Sequence, residues 1–275
     1  MSKVIVTGSK GFIAGKLIEK LSHVYEVLEY DMNNCWELLD GVFEDFHSWN
    51  DIECIFHMGA VSDTTVTDPI IVNNYNVKYT ICLFQKAIAK GIPVKYASSA
   101  SVYGDSTPYS KKYNPLNFYA LSKLTIDYWV EDHLEEFSAV QGFRFFNVYG
   151  DGEEDKIERN QSSPVSKFIV QANTENKITV FEGSNKMLRD FICVDDIVDL
   201  VISNTKGSGI FDLGTGEVCS FQEVAELVSK KFGVPIQTVP FPKHLIGKYQ
   251  YFTQSSEEWS HKFITVSDYV KNYLH

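Results

Sequence analysis

The chain has 275 residues, of which 44% are hydrophobic and 22% are charged. This length allows one large domain or two interlocked ones with a substantial core. The formal net charge of -11 argues against a nucleic-acid partner, because neutralising backbone phosphates requires a basic surface. A small anionic ligand is not excluded, since it responds to the local field in a cleft.

The cysteines and the apolar runs indicate in which cellular compartment the protein is expected. The five cysteines are widely spaced, odd in number and without a C-x-x-C pair, so neither a disulfide framework nor a zinc site is predicted. No apolar run reaches membrane-spanning length. The opening residues, MSKVIVTG, run directly into a predicted strand without a signal peptide, and we therefore expect a cytoplasmic protein with no membrane partner.

Short apolar strands alternate with amphipathic helices through the first half of the chain. This alternation is typical of a parallel sheet covered on both faces by helices, a doubly wound α/β fold. Strands are predicted at residues 3–8, 25–31, 53–60, 93–99 and 139–150, and helices at 11–22, 76–91 and 116–137.

The second half of the chain has a different pattern of polar and apolar residues. Residues 151–164, DGEEDKIERNQSSP, are polar and predict a mobile loop. Beyond it we predict helices at 163–173, 194–204, 220–233 and 266–274, and strands at 177–184 and 207–216.

These patterns predict two lobes. We expect a dinucleotide-binding domain formed by residues 1–147 with 190–217 and 263–275. A smaller α/β substrate-binding lobe is expected from residues 148–189 with 218–262.

A glycine-rich turn, TGSKGFIAG, joins the first strand to the first helix. Gly8 permits the tight turn, Gly11 lets a pyrophosphate approach the backbone, and Ala14 occupies the third spaced position. The helix N-terminus adds N–H donors and positive dipole. Asp31 ends the second strand about 20 residues on, where a carboxylate accepts hydrogen bonds from the adenosine ribose. The context predicts a Rossmann-type dinucleotide site.

The residues near this turn favour NAD. Asp31 would repel the ribose phosphate of NADP, although Lys10 could partly offset that repulsion. NADP therefore stays possible.

Three further residues form a candidate proton-transfer set. Tyr119 and Lys123 lie four residues apart on one helix and therefore share a face. The ammonium and an oxidised nicotinamide ring would both favour the phenolate, so we expect the pKa of Tyr119 to fall below its ordinary value of about 10. Ser99 ends a strand on the ligand side of the sheet and is expected to hydrogen-bond the reacting oxygen.

His57 also ends a buried strand, where a core histidine is the simpler interpretation. No other histidine or acid lies at metal-ligand spacing from it, so no metal is predicted.

Several stretches together resemble the extended short-chain dehydrogenase/reductase family, the NAD-dependent epimerases and dehydratases. They are TGSKGFIAG, the strand ending HMGA, SSASVYG, YALSK and RFFNVYG. Members generally oxidise and re-reduce, or dehydrate, nucleotide-diphosphate sugars with a bound nicotinamide cofactor. Within the family, FHMGAVSDTT, VFEGSNKMLRDF and PFPKHLIGKYQYFTQ are similar to the ADP-L-glycero-D-manno-heptose 6-epimerases.

The resemblance implies a set of site residues. The catalytic ones are Ser99, Tyr119, Lys123 and Lys156, with Lys156 as a second base after the NVYG strand or, alternatively, a solvated loop lysine. Tyr119 and Lys123 would also contact the cofactor, together with Gly8, Gly11, Phe12, Ile13, Asp31, Met32, Met58, Gly59, Ala60, Asn76 (or its neighbour Tyr75) and Val148. Ser99 would also contact the substrate, together with Asn147, Ser162, Phe181, Glu182, Gly183, Ser184, Arg189 and Tyr249.

The resemblance also implies a reaction. We expect epimerisation of ADP-glycero-manno-heptose at C6, a lipopolysaccharide core precursor, by transient oxidation and re-reduction with bound NAD(P). A UDP- or GDP-sugar 4-epimerase, another reductase or dehydratase of this fold, and a non-catalytic dinucleotide sensor are the alternatives. Dehydratases of the family carry an Asp-Glu pair where this chain has Ala100 and Ser101. The long helices at 73–91 and 117–137 are expected to pair subunits in a homo-oligomer.

Overall fold

The structure is a computed structural model that describes residues 1–31, 49–64, 66–104, 112–158, 161–246 and 249–273. These residues divide into two compact units. The first contains residues 1–102, 117–144 and 198–211, and the second contains residues 103–116, 145–197 and 212–275.

The strands are short and most are buried. Their bounds are β1 Lys3–Thr7, β2 Glu26–Tyr30, β3 Ile52–His57, β4 Val94–Ser99, β5 Val140–Phe145, β6 Asn147–Tyr149, β7 Ile178–Phe181, β8 Leu188–Cys193, β9 Gly209–Leu213, β10 Val218–Ser220 and β11 Ile236–Val239.

The helices vary from one turn to four. Their bounds are α1 Phe12–Leu21, α2 Pro69–Val72, α3 Tyr79–Lys90, α4 Phe118–Asp132, α5 Glu154–Glu158, α6 Pro164–Glu175, α7 Val194–Ser203, α8 Phe221–Phe232 and α9 Val266–Asn272. A π-helical segment, Asn73–Lys78, joins α2 to α3.

The first unit is organised around a six-stranded sheet in the order β2-β1-β3-β4-β5-β9. β1 pairs in parallel with β2 on one side and with β3 on the other, so the strand order reverses at β1. In doubly wound sheets ligands bind at the carboxyl ends of the strands where the order reverses. The predicted fold class is confirmed, and the carboxyl ends of β1 and β3 are where the site is expected.

Local sequence explains where the helices begin and end. The Asn117 side chain accepts the Ala120 backbone N–H and caps α4. Ser220 and Glu223 form the predicted capping box of α8, which ends at Gly233 in the left-handed conformation with φ 69°.

The second unit has its own sheets and core. One sheet has the order β10-β8-β6, and the other pairs β11 with β7. Helices α6 and α8 pack on a core that includes Phe168, Ile178 and Val224. This packing-defined unit also contains residues 190–197, 212–217 and 263–275, which the sequence prediction assigned to the dinucleotide-binding domain.

Three local differences from the predicted elements matter for the site. The strand predicted at 139–150 is two strands, β5 and β6, separated at Phe146. The polar stretch predicted as a loop contains the helix α5. Strand β8 was not predicted, because Arg189 and Asp190 interrupt an apolar run whose six residues are nonetheless almost fully enclosed.

Across the described ranges, no helix is both long and apolar enough to cross a membrane.

Candidate active site

The turn after β1 closes against the chain that leaves β3. Gly8 adopts a positive φ of 72°, and a Cβ atom there would lie 2.4 Å from the Gly59 Cα. The Gly11 N–H donates to the Gly8 carbonyl at 2.8 Å, and Gly11 is the N-cap of α1, which starts with Phe12 and Ile13. Only glycine fits at Gly8, because a side chain would collide with backbone and would also be conformationally strained.

Asp31 reaches the same turn. Its Oδ2 atom accepts the backbone N–H of Lys10 at 3.0 Å. The carboxylate therefore stands beside the glycine turn. Its predicted neighbour Met32 lies outside the described residues.

The residues after β3 hold the facing side of the turn. The Met58 N–H donates to the Thr7 carbonyl at 3.2 Å, and Met58, Gly59 and Ala60 are partly exposed. His57, just before them, is buried, and its ring nitrogens are hydrogen-bonded to the Thr7 hydroxyl at 2.6 Å and the Thr80 hydroxyl at 2.8 Å. Burial, aided by the charge of Lys123, lowers the pKa of His57 to about 3, so it is a neutral core residue.

Asn76 ties three parts of the first unit together. Its Oδ1 accepts the Val61 N–H at 2.7 Å, and its Nδ2 donates to the Val61 carbonyl and to the Ser122 hydroxyl, both at 3.0 Å. Its neighbour Tyr75 is partly exposed. The buried amide thus fixes the π-helical segment to the chain after β3 and to α4, a positioning contact that sequence analysis did not identify.

The structure brings together the predicted proton-transfer set. Ser99 ends β4, and its side chain is hydrogen-bonded to Tyr119 on α4. The Lys123 ammonium lies 5.9 Å from the centroid of the Tyr119 ring and donates to the Ala97 carbonyl at 2.6 Å. A strand end and one helix face therefore present a hydroxyl, a phenol and an ammonium side by side.

The electrostatics of this set differ from the sequence expectation. Burial raises the pKa of Tyr119, and the hydrogen bond from Ser99 opposes that rise. The expected fall below the ordinary value is therefore not produced by the protein's own groups, because desolvation of the phenolate outweighs its stabilisation. Burial lowers the pKa of Lys123 to about 8, and the charge of Asp127 counteracts that fall.

In the second unit, Glu153 organises the segment that carries Lys156. The buried Glu153 carboxylate accepts four hydrogen bonds, from the Gly150 N–H and from the N–H and hydroxyl of Ser163 and the hydroxyl of Ser166. Lys156 lies on α5 and is only partly exposed, and burial lowers its pKa. Lys156 thus lies on a helix and not in a loop. Ser162 is also partly exposed, beside the buried Ser163.

The strands of the second unit position the other predicted substrate residues. Asn147 and Val148 lie on β6, where the Asn147 Nδ2 donates to the Asp190 carbonyl at 3.1 Å and to the Thr253 hydroxyl at 2.9 Å. Phe181 ends β7, and Glu182 and Gly183 follow it on the surface. Ser184 is buried and donates its hydroxyl hydrogen to Gln222 at 2.8 Å.

Arg189 is held between two aromatic rings. Its Cζ atom lies 5.6 Å from the Phe221 ring centroid and 5.4 Å from that of Tyr249, and it is hydrogen-bonded to the Tyr249 side chain. Another nitrogen donates to the Leu188 carbonyl at 3.1 Å. A guanidinium has five N–H donors, so it retains capacity for a forked contact with a phosphate.

Asp190 is a structural residue that sequence analysis missed. Its buried carboxylate accepts the N–H and hydroxyl of Thr215 and the N–H groups of Gly216 and Ser255, at 2.8 to 2.9 Å. A Cβ atom on Gly214 would lie 2.6 Å from this carboxylate. The hub fixes the backbone next to Arg189. No local pattern reveals it, because its partners are distant in sequence.

None of the residues that the structure describes form a group of three or more His, Cys, Asp or Glu able to hold a metal ion.

The doubly wound sheet carries a glycine turn where its strand order reverses, and a Ser-Tyr-Lys set lies on β4 and α4. Together these features are those of a nicotinamide-dependent enzyme of the short-chain dehydrogenase/reductase class. Residues 4–207 match the family model described as the NAD dependent epimerase/dehydratase family. The chain belongs to this family, and the predictions of an enzyme and of NAD as its cofactor are confirmed at that level.

Similarity extends over almost the whole chain. The ADP-L-glycero-D-manno-heptose-6-epimerase of Alkalilimnicola ehrlichii is 34% identical over 284 residues, covering 92% of this chain and 88% of the relative. The crystal structure of the Helicobacter pylori enzyme of the same name matches with a TM-score of 0.74 at 23% identity, covering 99% of this chain and 94% of that one. The Thermotoga maritima UDP-glucose 4-epimerase matches with a TM-score of 0.81 at 20% identity, covering 98% of this chain and 96% of that one.

The residues present fit NAD. A Cβ atom on Gly11 would meet only the Gly8 carbonyl within 4 Å, so the approach to the N-terminus of α1 is open. The Asp31 carboxylate stands at the same turn, where a ribose hydroxyl can donate to it.

Proposed function

We propose that this protein epimerises ADP-glycero-manno-heptose at C6 by transient oxidation and re-reduction. The observation that carries the proposal is the 34% identity to an ADP-L-glycero-D-manno-heptose-6-epimerase over 92% of the chain. The hydrogen-bonded pair Ser99 and Tyr119 with Lys123 beside it supports the proposed chemistry.

Tyr119 is the proposed base for the first step. As phenolate it takes the proton of the C6 hydroxyl, while Ser99 hydrogen-bonds the same oxygen and orients it. When bound, NAD supplies the chemistry of accepting a hydride from that carbon and returning it. A ketone forms at C6, and Lys156 or Tyr119 supplies the proton to its oxygen after the sugar has presented the opposite face.

Lys123 has the proposed role of stabilising the phenolate. The protein's own environment raises the pKa of Tyr119, so the ionised form depends on positive charge supplied near it. Lys123 provides one such charge, and the oxidised nicotinamide ring would provide another.

Lys156 is the proposed second acid-base group. Burial lowers its pKa, which favours proton exchange nearer neutral pH than for a solvated lysine. The four hydrogen bonds to Glu153 support this role by fixing the segment on which Lys156 lies.

The second unit is proposed to bind the substrate nucleotide. Arg189, stacked between Phe221 and Tyr249, would clamp the diphosphate through forked hydrogen bonds. The remaining members of the proposed substrate set are Asn147, Ser162, Phe181, Glu182, Gly183 and Ser184.

The alternatives are a 4-epimerase, another reductase or dehydratase of this fold, and a non-catalytic dinucleotide sensor. A UDP- or GDP-sugar 4-epimerase would use the same proton-transfer set, and the solved 4-epimerase with this fold is 20% identical, which carries no substrate information. A dehydratase is disfavoured, because Ala100 and Ser101 cannot supply the acid and base that elimination needs. A non-catalytic sensor is disfavoured by the retention of Tyr119 and Lys123.

A cytoplasmic homo-oligomer is proposed. Ile70, Leu121 and Tyr128 are exposed on α2 and α4, and burying such side chains against a second subunit would be favourable. Light scattering on the purified protein tests this, and a monomer at every concentration would contradict it.

The decisive experiment is incubation with ADP-heptose, monitored by NMR for inversion at C6, after mass spectrometry of the nucleotide released from purified protein. We predict that Tyr119→Phe lowers kcat by about 100-fold to 10,000-fold while NAD stays bound, because the base is lost. Tyr128→Phe, on the exposed face of the same helix, is the matched control and should retain activity. A native rate in Tyr119→Phe would refute the assignment.

A further inference from the structure

Asp127 is a fully buried carboxylate one helical turn beyond Lys123. Its exposed fraction is 0%, and its position four residues along α4 puts it on the same helix face as the lysine. A buried carboxylate is costly unless paired and hydrogen-bonded, so its presence requires partners.

The partners come from the adjacent strands. The Arg144 Nε on β5 donates to Oδ2 at 2.8 Å, the Ser98 hydroxyl donates to Oδ2 at 2.9 Å, and the Tyr96 hydroxyl donates to Oδ1 at 3.0 Å. Tyr96 and Ser98 lie on β4, the strand that ends at Ser99. These bonds hold the carboxylate in one orientation beneath the proton-transfer set.

Lys123 is itself nearly enclosed, with 6% of its surface exposed. The Ala97 carbonyl accepts one of its three N–H groups but carries no formal charge. A buried ammonium needs a counter-ion to remain charged. Asp127 is the acid whose charge favours the protonated form of Lys123.

Among the described residues, the other ionisable groups on the elements around Lys123 supply no negative charge near neutral pH. His57 on β3 is neutral, with the Tyr79 ring against it. Tyr96 on β4 stays protonated because burial and the Asp127 charge raise its pKa well above 10.0. Arg144 on β5 is positive, and Tyr119 on α4 is the proton-transfer phenol.

We propose that the Asp127 carboxylate, which also pairs with Arg144, is the counter-ion that keeps Lys123 protonated, which makes Asp127 a positioning residue of the reaction. This inference rests on the proposed function for its catalytic consequence. Without the carboxylate, Lys123 loses its proton near neutral pH, and the Tyr119 phenolate loses the charge that stabilises it.

The direct test is an NMR titration of protein labelled with ¹³C at the lysine ε-carbon, with the Lys123 signal assigned by its absence in Lys123→Met. In Asp127→Asn we expect the pKa of Lys123 to fall by about one to three units. Asp132→Asn, an exposed acid on the same helix, is the matched control and should leave that pKa unchanged.

Asp127→Asn removes the carboxylate to which the buried Arg144 Nε donates, which can prevent folding. The double variant Asp127→Asn/Arg144→Met removes both charges and avoids that defect. We expect the pKa of Lys123 to fall in the double variant too, by less than in the single one. A wild-type Lys123 pKa in the double variant would overturn the proposal.

The pH dependence of kcat gives the catalytic readout. The alkaline limb should move to lower pH in the double variant, in step with the Lys123 titration, whereas Asp132→Asn keeps the wild-type profile. An unmoved limb overturns the catalytic role of Asp127. Wild-type protein that is inactive on ADP-heptose, yet has a Lys123 pKa that depends on Asp127, would refute the proposed substrate and leave the counter-ion assignment standing.

Discussion

At the scale of single residues, His57 couples the stability of the protein to pH. Burial lowers its pKa from 6.5 to about 3, so the folded state keeps the imidazole neutral. In the unfolded chain the ring binds a proton below a pH of about 6.5. Between the two pKa values the unfolded state binds more protons, and stability falls as the pH falls. The stabilisation that comes from keeping His57 neutral is fully present above its pKa in the unfolded chain, 6.5.

We predict that the free energy of unfolding falls by up to about 1.4 kcal/mol per pH unit from His57 alone in this acid range. His57→Gln should be less stable near neutral pH, because hydrogen bonds to Thr7 and Thr80 are lost, but should show a shallower acid decline. Urea unfolding at a series of pH values measures both. His23→Gln, at an exposed histidine, should retain the wild-type slope, and equal slopes in all three proteins would contradict the prediction.

Sequence predicted the residues whose chemistry is local and missed those whose partners are remote. Tyr119 and Lys123 were predictable because a four-residue spacing fixes a shared helix face, and Gly8 because only glycine suits its turn. Asn76, Glu153 and Asp190 were not identified as buried hubs, because their bonds depend on how distant segments pack. The pKa of Tyr119 was misjudged for a related reason, since spacing reports a nearby charge but not the burial that opposes it.

At the scale of elements, α5 and the segment around it depend on one carboxylate. Glu153 is 2% exposed and accepts hydrogen bonds from groups both before and after α5, so it links the two ends of the segment. These hydrogen bonds give the helix a fixed position that its polar sequence alone would not provide. The polar composition predicted a loop here, because composition carries no information on hydrogen bonds between residues on the two sides of the helix.

We predict that Glu153→Gln destabilises the protein by about 1–3 kcal/mol, because an amide cannot accept all four hydrogen bonds and places its own donors among them. Hydrogen exchange followed by mass spectrometry should be faster in peptides covering residues 150–166 and unchanged in α4. Glu158→Gln, on the exposed end of α5, should exchange as the wild type does. Unaltered exchange in Glu153→Gln would show that the hydrogen bonds to Glu153 do not hold the segment in place.

Most helices and the parallel strands were predictable as elements, because their hydrophobic periodicity and capping residues are local. Strands β8, β10 and β11 were not predicted. In β8, Arg189 and Asp190 are buried through contacts with aromatic rings and through a hydrogen-bond hub that sequence patterns do not reveal.

At the scale of the whole molecule, cofactor binding is expected to raise the temperature of unfolding. A ligand at about 100 times its Kd that binds only the folded state stabilises it by about 2.7 kcal/mol. We predict that NAD raises the Tm by several degrees and that NADP raises it less, because Asp31 would repel the added phosphate at the turn. Thermal unfolding with each nucleotide measures the difference. Asp31→Ser should narrow it, and equal shifts in the wild type would contradict the assignment of Asp31.

The first unit is assembled from three separated stretches of chain, and the edge strand of the six-stranded sheet that comes last in the chain is β9, Gly209–Leu213. During synthesis the nascent sheet therefore stays incomplete until the ribosome has passed this strand. By then about half of the second unit's residues have already been synthesised. A truncation between β5 and β9 would expose an unpaired edge of β5 to neighbouring molecules, so early termination there should yield aggregates instead of a free-standing nucleotide-binding fragment.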